Sequence, residues 1–280
     1  MNVKFTRSFG QPLIESLRNQ PLFIKKLQRD IEQGTVFPAI RKDQIGFYHK
    51  GGRLFLYDGK GKEFKTNAKY AVGAYLNLKG DVGIGDLKDI KVEDEFFVKG
   101  YERIKENCSL YAGEEADGVS QVYSKYSYAT CKSDIVVLDI EATFSSSERK
   151  TDKIDLLLYD NKKKRLKFYE AKHFSNSEIW GTEPKVINQI KRYEKQIKVS
   201  EDNIVKAYVD YINTVNKLFG LDLNKPKGID TDVALLIFGF DNDQLKGSLD
   251  NQIKKLRDKG VKTYKIGGIK GLKIKTLWES

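Results

Sequence analysis

The sequence predicts an α/β protein in which a mixed central sheet is flanked by helices and an N-terminal α+β module comes first. Residues 232–240, D-V-A-L-L-I-F-G-F, are almost entirely apolar, as is typical of a strand buried on both sheet faces. Helical and strand periodicities alternate in the second half of the chain. Earlier, short strands are separated by glycine turns, which indicates an antiparallel meander. We therefore predict two domains, residues 1–92 and residues 93–280.

The N-terminal module begins with a predicted helix over residues 11–34, in which Pro21 suits a first turn and Gly34 a C-terminal cap. Residues 36–72 have the alternation of strands. These strands carry aromatic and basic residues together, a combination that can stack bases and hold phosphates. Aromatic residues in strands are usually core residues. We favour the core interpretation for the aromatic residues Phe47, Phe55 and Tyr57.

The second domain is predicted to alternate helices with strands. A helix over residues 95–111 comes first. The most convincing buried strand of this domain covers residues 135–144, I-V-V-L-D-I-E-A-T-F. The remaining predicted elements are a hairpin over residues 153–172, a helix from Thr182, a helix over residues 201–219 capped by Ser200 and ended by Gly220, a strand over residues 232–240, a helix over residues 243–259, a strand over residues 261–266 and an edge strand over residues 274–278.

Composition indicates a globular protein with a polyanionic partner. Of the 280 residues 40% are hydrophobic, and 15 Tyr and 15 Phe argue against disorder. Lys and Arg outnumber Asp and Glu by 50 to 39, a net charge of +11 that favours binding to nucleic acid. The alternative is a soluble basic protein whose lysines are simply solvated.

The cysteines and the apolar pattern give the expected location. Cys108 and Cys131 are the only cysteines, so neither a disulfide framework nor a zinc site is expected. The first residues lack the apolar core of a secretion signal, and no window has the apolar length of a membrane helix. We expect a cytosolic protein with no membrane partner. The sequence leaves open whether it forms a homodimer.

The predicted hairpin brings two carboxylates together. Asp155 interrupts the apolar run of its first strand, and its second strand reads L-K-F-Y-E-A-K, with Glu170 and Lys172 two apart and so on one face. Two neighbouring carboxylates repel unless a proton or a cation lies between them. A divalent ion with oxygen ligands, most plausibly Mg²⁺ or Mn²⁺, satisfies that requirement.

At these residues the chain resembles the PD-(D/E)XK nuclease superfamily, whose signature is an Asp followed by Glu-x-Lys. Ile154 stands where the family's first-motif proline is expected, whereas E170-A171-K172 fits the second part. Gln189 and Tyr193 lie four apart on the following predicted helix, which is similar to the Q-x-x-x-Y element of the RecB-like branch. The resemblance covers roughly residues 134–195.

The resemblance implies a restriction-endonuclease-like core and a metal-dependent nuclease, which we expect to act on DNA in restriction, repair or antiviral defence. It assigns Asp155, Glu170 and the Ala171 carbonyl to Mg²⁺ or Mn²⁺, and Lys172 to the attacking water. Gln189 would orient that lysine or the water, and Tyr193 would contact backbone or brace the helix.

Further residues stay open. Glu141 either joins the metal or pairs with a lysine, and an upstream Glu could also contribute, with Glu102, Glu106 and Glu115 as the candidates. The basic helix that carries Gln189 offers Lys185, Lys191 and Arg192 to nucleic acid. The alternatives to a nuclease are a non-cleaving nucleic-acid-binding module with the nuclease fold and a protein-interaction scaffold whose Glu-x-Lys motif is an ordinary salt bridge.

Overall fold

The computed structural model describes residues 5–71, 81–83, 96–144 and 152–279. It divides into two compact units, one of Thr6–Thr130 with Asp210–Asp222, and one of Met1–Phe5, Cys131–Val209 and Leu223–Ser280. The predicted boundary at residues 92 and 93 lies outside the described residues. The first unit continues to Thr130, so the helices between residues 96 and 126 belong to it, whereas the sequence analysis assigned them to the second domain.

The N-terminal unit contains a five-stranded sheet in the order β1-β2-β3-β4-β5, with antiparallel neighbours. The predicted meander is confirmed, and Phe47, Phe55 and Tyr57 are fully buried core residues. The Phe55 ring stacks on Tyr101 and packs against Phe97, which explains why the helices after the sheet belong to this unit. The strands are Phe37–Arg41 (β1), Gln44–His49 (β2), Gly52–Asp58 (β3), Glu63–Asn67 (β4) and Asp81–Gly83 (β5).

The helices of this unit depart from the predicted positions in several places, and Ala68–Ala71 is helical although strand alternation was predicted up to residue 72. The helix expected over residues 11–34 is interrupted after Arg18, before Pro21, and continues through a π-helical turn, Phe23–Leu27. A helix that was not predicted covers residues 114–126. The helices are Gln11–Arg18 (α1), Gln28–Glu32 (α2), Ala68–Ala71 (α3), Phe96–Lys99 (α4), Tyr101–Leu110 (α5) and Glu114–Tyr126 (α6).

The C-terminal unit contains a five-stranded mixed sheet in the order β10-β9-β8-β7-β6. Strands β6, β7 and β8 are antiparallel neighbours, whereas β8, β9 and β10 are parallel. A mixed sheet with helices is what the sequence predicted, and the predicted hairpin occupies its central and adjacent strands. The strands are Ile135–Phe144 (β6), Asp152–Asp160 (β7), Arg165–His173 (β8), Gly228–Phe238 (β9) and Thr263–Ile266 (β10).

Helices lie on both faces of this mixed sheet. Phe168 of β8 contacts Tyr208 of helix α7, whereas the next residue, Tyr169, donates a hydrogen bond to the Leu277 carbonyl of helix α10. Because successive strand residues point to opposite faces, these helices cover opposite sides. The helices are Lys185–Phe219 (α7), Asn242–Gln244 (α8), Asp250–Asp258 (α9) and Lys275–Trp278 (α10), with π-helical residues Leu245–Leu249 joining α8 to α9.

Two predictions for this part of the chain have clear outcomes. Ser200 has non-helical dihedral angles inside α7, at the position where the sequence predicted one helix to end and another to begin. The prediction of an edge strand over residues 274–278 is wrong, because Lys275–Trp278 forms helix α10. Within the described part of the chain, none of the helices combines the length and apolarity needed to cross a bilayer.

Strand β6 is irregular and carries two acidic residues, Asp139 and Glu141. Its register to β7 shifts between Val137 and Asp139, and Glu141 has a φ of +46°. Asp139 is fully buried and accepts a hydrogen bond from Tyr208 Oη at 2.9 Å, whereas Glu141 pairs with Lys153 Nζ at 3.1 Å. The two acidic residues of β6 therefore have different partners.

The N-terminal unit contains a buried charge network around Asp30. Its carboxylate, 1% exposed, accepts hydrogen bonds from Tyr101 Oη at 2.8 Å and Lys105 Nζ at 2.5 Å and lies 3.0 Å from a guanidinium nitrogen of Arg29. Burial raises the pKa of this carboxyl, but the bonds from Lys105 and Tyr101 outweigh burial and hold the pKa below its ordinary value of 3.8.

We predict that Asp30→Asn destabilises the protein by roughly 3 kcal/mol near neutral pH, because it removes the buried carboxylate and leaves the partly buried Lys105 ammonium without its charge partner. The Asp30 contribution is present above its unfolded pKa and is lost as the pH falls through the lower folded value. The stability gap to wild type should thus shrink below about pH 3.8. Urea denaturation between neutral and acid pH measures it, with exposed Asp222→Asn as control; a gap independent of pH contradicts this account.

Candidate active site

The site begins where the pairing between β7 and β8 ends. The last backbone pair between these two strands is Leu156 and Tyr169. One residue further, a hydrogen bond to a side chain takes the place of the backbone hydrogen bonds. Asp155 Oδ2 accepts the Ala171 backbone N–H at 2.8 Å. This bond fixes the Asp155 carboxylate beside the strand that carries Glu170 and Lys172.

Glu170 is the buried centre of the site, with 1% of its surface exposed. Its Oε1 accepts a hydrogen bond from Gln189 Nε2 at 2.7 Å and lies 3.1 Å from Lys172 Nζ. Its other oxygen, Oε2, is buried and has no hydrogen-bond partner among the described residues. A buried carboxylate oxygen without a partner is costly, and it is an available ligand for a cation.

The pKa of Glu170 reflects this position. Burial raises it strongly, and the neighbouring Asp155 charge raises it further, whereas Lys172 lowers it by charge and by hydrogen bonding. The first two effects win, so the folded protein favours a protonated Glu170. Two neighbouring carboxyls compete for one proton because two negative charges there repel each other. A divalent ion bound by both would remove that repulsion.

Lys172 is enclosed between two carboxylates. Only 7% of its surface is exposed, and Nζ lies 3.1 Å from Glu170 Oε1 and 3.0 Å from Glu178 Oε2. Glu178 belongs to a 3₁₀ turn, Ser177–Ile179, in a segment that the sequence showed only as a loop. The weak signal that could have singled it out is an acidic residue two positions after an Asn cap, shortly beyond the Glu-x-Lys strand.

Gln189 and Tyr193 face the carboxylates from helix α7, as their i, i+4 spacing predicted. Gln189 Nε2 also donates to Tyr193 Oη at 2.8 Å, and Tyr193 Oη donates to the Lys153 carbonyl at 2.6 Å. Tyr193 is 1% exposed. The pair therefore connects β7, β8 and α7 and sets the orientation of the Glu170 carboxylate.

The other expected metal ligands are placed less directly. Glu141 lies opposite Asp155 in the strand register, between the pairs Ile140–Leu156 and Ala142–Ile154, but its carboxylate pairs with Lys153. Ala171 holds Asp155 through its N–H, as described above. Over residues 5–71, 81–83, 96–144 and 152–279, no three Asp, Glu, His or Cys side chains form a metal-binding group.

The upstream candidates for an extra carboxylate, Glu102, Glu106 and Glu115, all belong to the N-terminal unit. Glu102 there pairs with Arg29 at 3.3 Å and Lys26 at 3.6 Å. The three residues proposed to bind nucleic acid, Lys185, Lys191 and Arg192, are exposed on α7, while Gln189 and Tyr193 on the same helix face the sheet side.

We predict that Glu170→Gln increases the stability of the metal-free protein above pH 4.5, the ordinary value for Glu. A raised folded pKa gives a contribution that is present below the unfolded value and is lost as the pH rises. By pH 8 the variant, which mimics the protonated acid, should be more stable by on the order of 1 kcal/mol or more. Denaturation in EDTA from pH 4 to pH 8 tests this, with exposed Glu183→Gln as control; a variant less stable than wild type at pH 8 contradicts it.

The five residues that the sequence analysis placed in one site are connected by hydrogen bonds and close charges. They are Asp155, Glu170, Lys172, Gln189 and Tyr193. Comparisons of the chain with protein-family models, with curated proteins and with solved structures found no match. The function is therefore inferred from the geometry and chemistry of this group.

Proposed function

We propose that the protein is a metal-dependent nuclease that hydrolyses phosphodiester bonds in DNA. One observation carries the proposal: a buried Glu170 carboxylate with an unpartnered oxygen lies beside Asp155, and the Lys172 ammonium lies 3.1 Å from its other oxygen. Strongly perturbed acids grouped with a lysine are frequent at catalytic sites. The resemblance of these residues to the PD-(D/E)XK pattern supports the same reaction.

The donor set suits Mg²⁺ or Mn²⁺. Both ions prefer oxygen ligands, and Mg²⁺ commonly uses one or two carboxylates, with water and substrate phosphate completing its coordination. Asp155, Glu170 and the Ala171 carbonyl would hold the ion, and Glu141 could join by exchanging its Lys153 partner. A bound divalent ion supplies positive charge to the phosphate and increases the acidity of water.

The protein residues supply position and charge around the scissile phosphate. Lys172 would orient the attacking water, assist its deprotonation or stabilise charge that develops on the phosphate. Gln189 keeps Glu170 in one orientation through the 2.7 Å bond, and Tyr193 fastens Gln189 to the Lys153 backbone. Neither of these two residues needs to contact substrate to affect the rate, because misplacement of a catalytic group is costly.

Charge supports nucleic acid as the substrate class. The chain carries +11, and α7 exposes Lys185, Lys191 and Arg192 while Gln189 of the same helix bonds Glu170. Phosphate contacts from such side chains give affinity without sequence preference. The same surface would fit RNA, so RNA is the second substrate to be tested.

A protein-interaction scaffold is the second candidate. The pairing of Lys172 with both Glu170 and Glu178 favours it, because a lysine between two carboxylates can be purely structural. In a scaffold the Asp155 and Glu170 carboxyls would remain protonated or paired and would recruit no ion. The candidates therefore differ in cleavage and in metal binding.

We predict that Lys172→Met reduces DNA cleavage about 100-fold or more while the protein stays folded, because the variant keeps the aliphatic stem but removes the ammonium. Linear and circular DNA are incubated with Mg²⁺, Mn²⁺ or EDTA, and the circular substrate separates cleavage within a strand from cleavage at ends. Lys162→Met, at the far end of the hairpin, is the matched control. Undiminished cleavage by folded Lys172→Met would falsify the assignment.

We also predict that DNA affinity falls steeply with salt and that α7 accounts for part of the slope. Each neutralised phosphate contributes about −0.9 to the slope of log K against log salt concentration. Replacing Lys191 and Arg192 with Ala should flatten the slope by about 2 units, whereas replacing Lys162 and Lys163 should leave it unchanged. Fluorescence anisotropy in EDTA measures both slopes, and equal slopes for the two double variants would remove α7 from the binding surface.

A further inference from the structure

Glu178 approaches Lys172 from outside the two strands that carry the other acids. Its Oε2 lies 3.0 Å from Lys172 Nζ, about as near as Glu170 Oε1 at 3.1 Å. The Glu178 side chain is 40% exposed, whereas that of Lys172 is 8% exposed. The ammonium is thus held between one buried carboxylate and one that reaches in from the surface.

The turn that carries Glu178 is fixed at several points. Asn176 Oδ1 accepts the Glu178 backbone N–H at 2.8 Å, and the Ile179 side chain is fully buried. Gln252 of α9, itself 4% exposed, donates to the Ile179 carbonyl at 2.9 Å and the Gly181 carbonyl at 3.1 Å. The Asn176 cap before Glu178 and the buried Gln252 amide bonded to the residues after it order this turn, so the Glu178 carboxylate is presented from a defined position.

We propose that Glu178 is a positioning residue for the reaction: it holds the Lys172 ammonium in place both in the metal-free protein and when Glu170 is engaged by a divalent ion. This inference rests on the proposed nuclease function. When Glu170 binds a divalent ion, its carboxylate attracts the Lys172 ammonium less strongly. Glu178 supplies a second carboxylate 3.0 Å from Nζ, so Lys172 keeps its location when Glu170 binds the ion.

An ordinary surface ion pair would not hold Lys172 in place, because exposed ion pairs contribute little to stability and are screened by salt. Here one partner is almost fully buried and the other is attached to an ordered turn, so less side-chain freedom is lost on pairing. Loss of Glu178 should therefore release Lys172 without unfolding the protein.

The first test uses metal-free protein and does not depend on cleavage. Wild type, Glu178→Gln and Glu178→Ala are treated with an amine-acetylating reagent in EDTA, and mass spectrometry follows acetylation of Lys172, with exposed Lys191 as the internal reference. We expect Lys172 to react several-fold faster in both variants, with Glu178→Ala above Glu178→Gln. Unchanged Lys172 reactivity in both folded variants overturns the proposal, whether or not the protein is a nuclease.

The second test measures cleavage kinetics. Loss of a residue that supports a site residue typically costs about 10- to 100-fold, and we expect that loss in kcat with little change in KM. Glu178→Gln, which keeps the length and one acceptor oxygen, should retain more activity than Glu178→Ala. Glu183→Gln, an equal charge change on a nearby exposed residue, should be as active as wild type.

The outcomes separate the two proposals. Faster acetylation together with an inactive wild type would leave Glu178 as the holder of Lys172 but would count against the nuclease and so against the kinetic role. Faster acetylation with wild-type kcat in Glu178→Ala would overturn the positioning role in an active nuclease. A rise in KM alone would also overturn it, since that would assign Glu178 to substrate binding.

Discussion

The structure of the candidate site depends on the burial of Glu170 beside Asp155. A carboxylate taken out of water is expensive, and a second one next to it increases the cost. Lys172 and Gln189 compensate one oxygen of Glu170, and the Ala171 N–H compensates Asp155. The remaining oxygen, Oε2, stays buried without a partner. We propose that a ligand offsets this cost, and a divalent cation has the required charge and preference for oxygen.

The mixed sheet makes this arrangement because three elements meet at the end of one hairpin. Strand β7 stops pairing with β8 at Asp155, so its carboxylate can reach β8. The chain leaving β8 forms the turn with Glu178 and then α7, which returns Gln189 to the same carboxylate. Parallel pairing of β8 with β9 requires such a crossover, and the crossover here supplies site residues as well as a covering helix.

Much of this could be predicted from local patterns, because each depends on residues close in sequence. Glycine turns gave the meander, alternation gave the hairpin, and i, i+4 spacing gave the shared face of Gln189 and Tyr193. What failed depends on contacts between distant residues or on departures from ideal geometry. The packing of Phe55 on Tyr101 sets the extent of the N-terminal unit, and only the folded turn brings Glu178 to Lys172.

The most direct test of the central claim is calorimetric titration of the protein with Mn²⁺ in the absence of DNA, for wild type and for Asp155→Asn. The account predicts saturable binding to wild type that is accompanied by proton release, because the ion displaces the proton that Glu170 favours in the metal-free state. Asp155→Asn should bind at least about 10-fold more weakly. Equal binding by both proteins, or no binding to wild type, would contradict a metal site at Asp155 and Glu170.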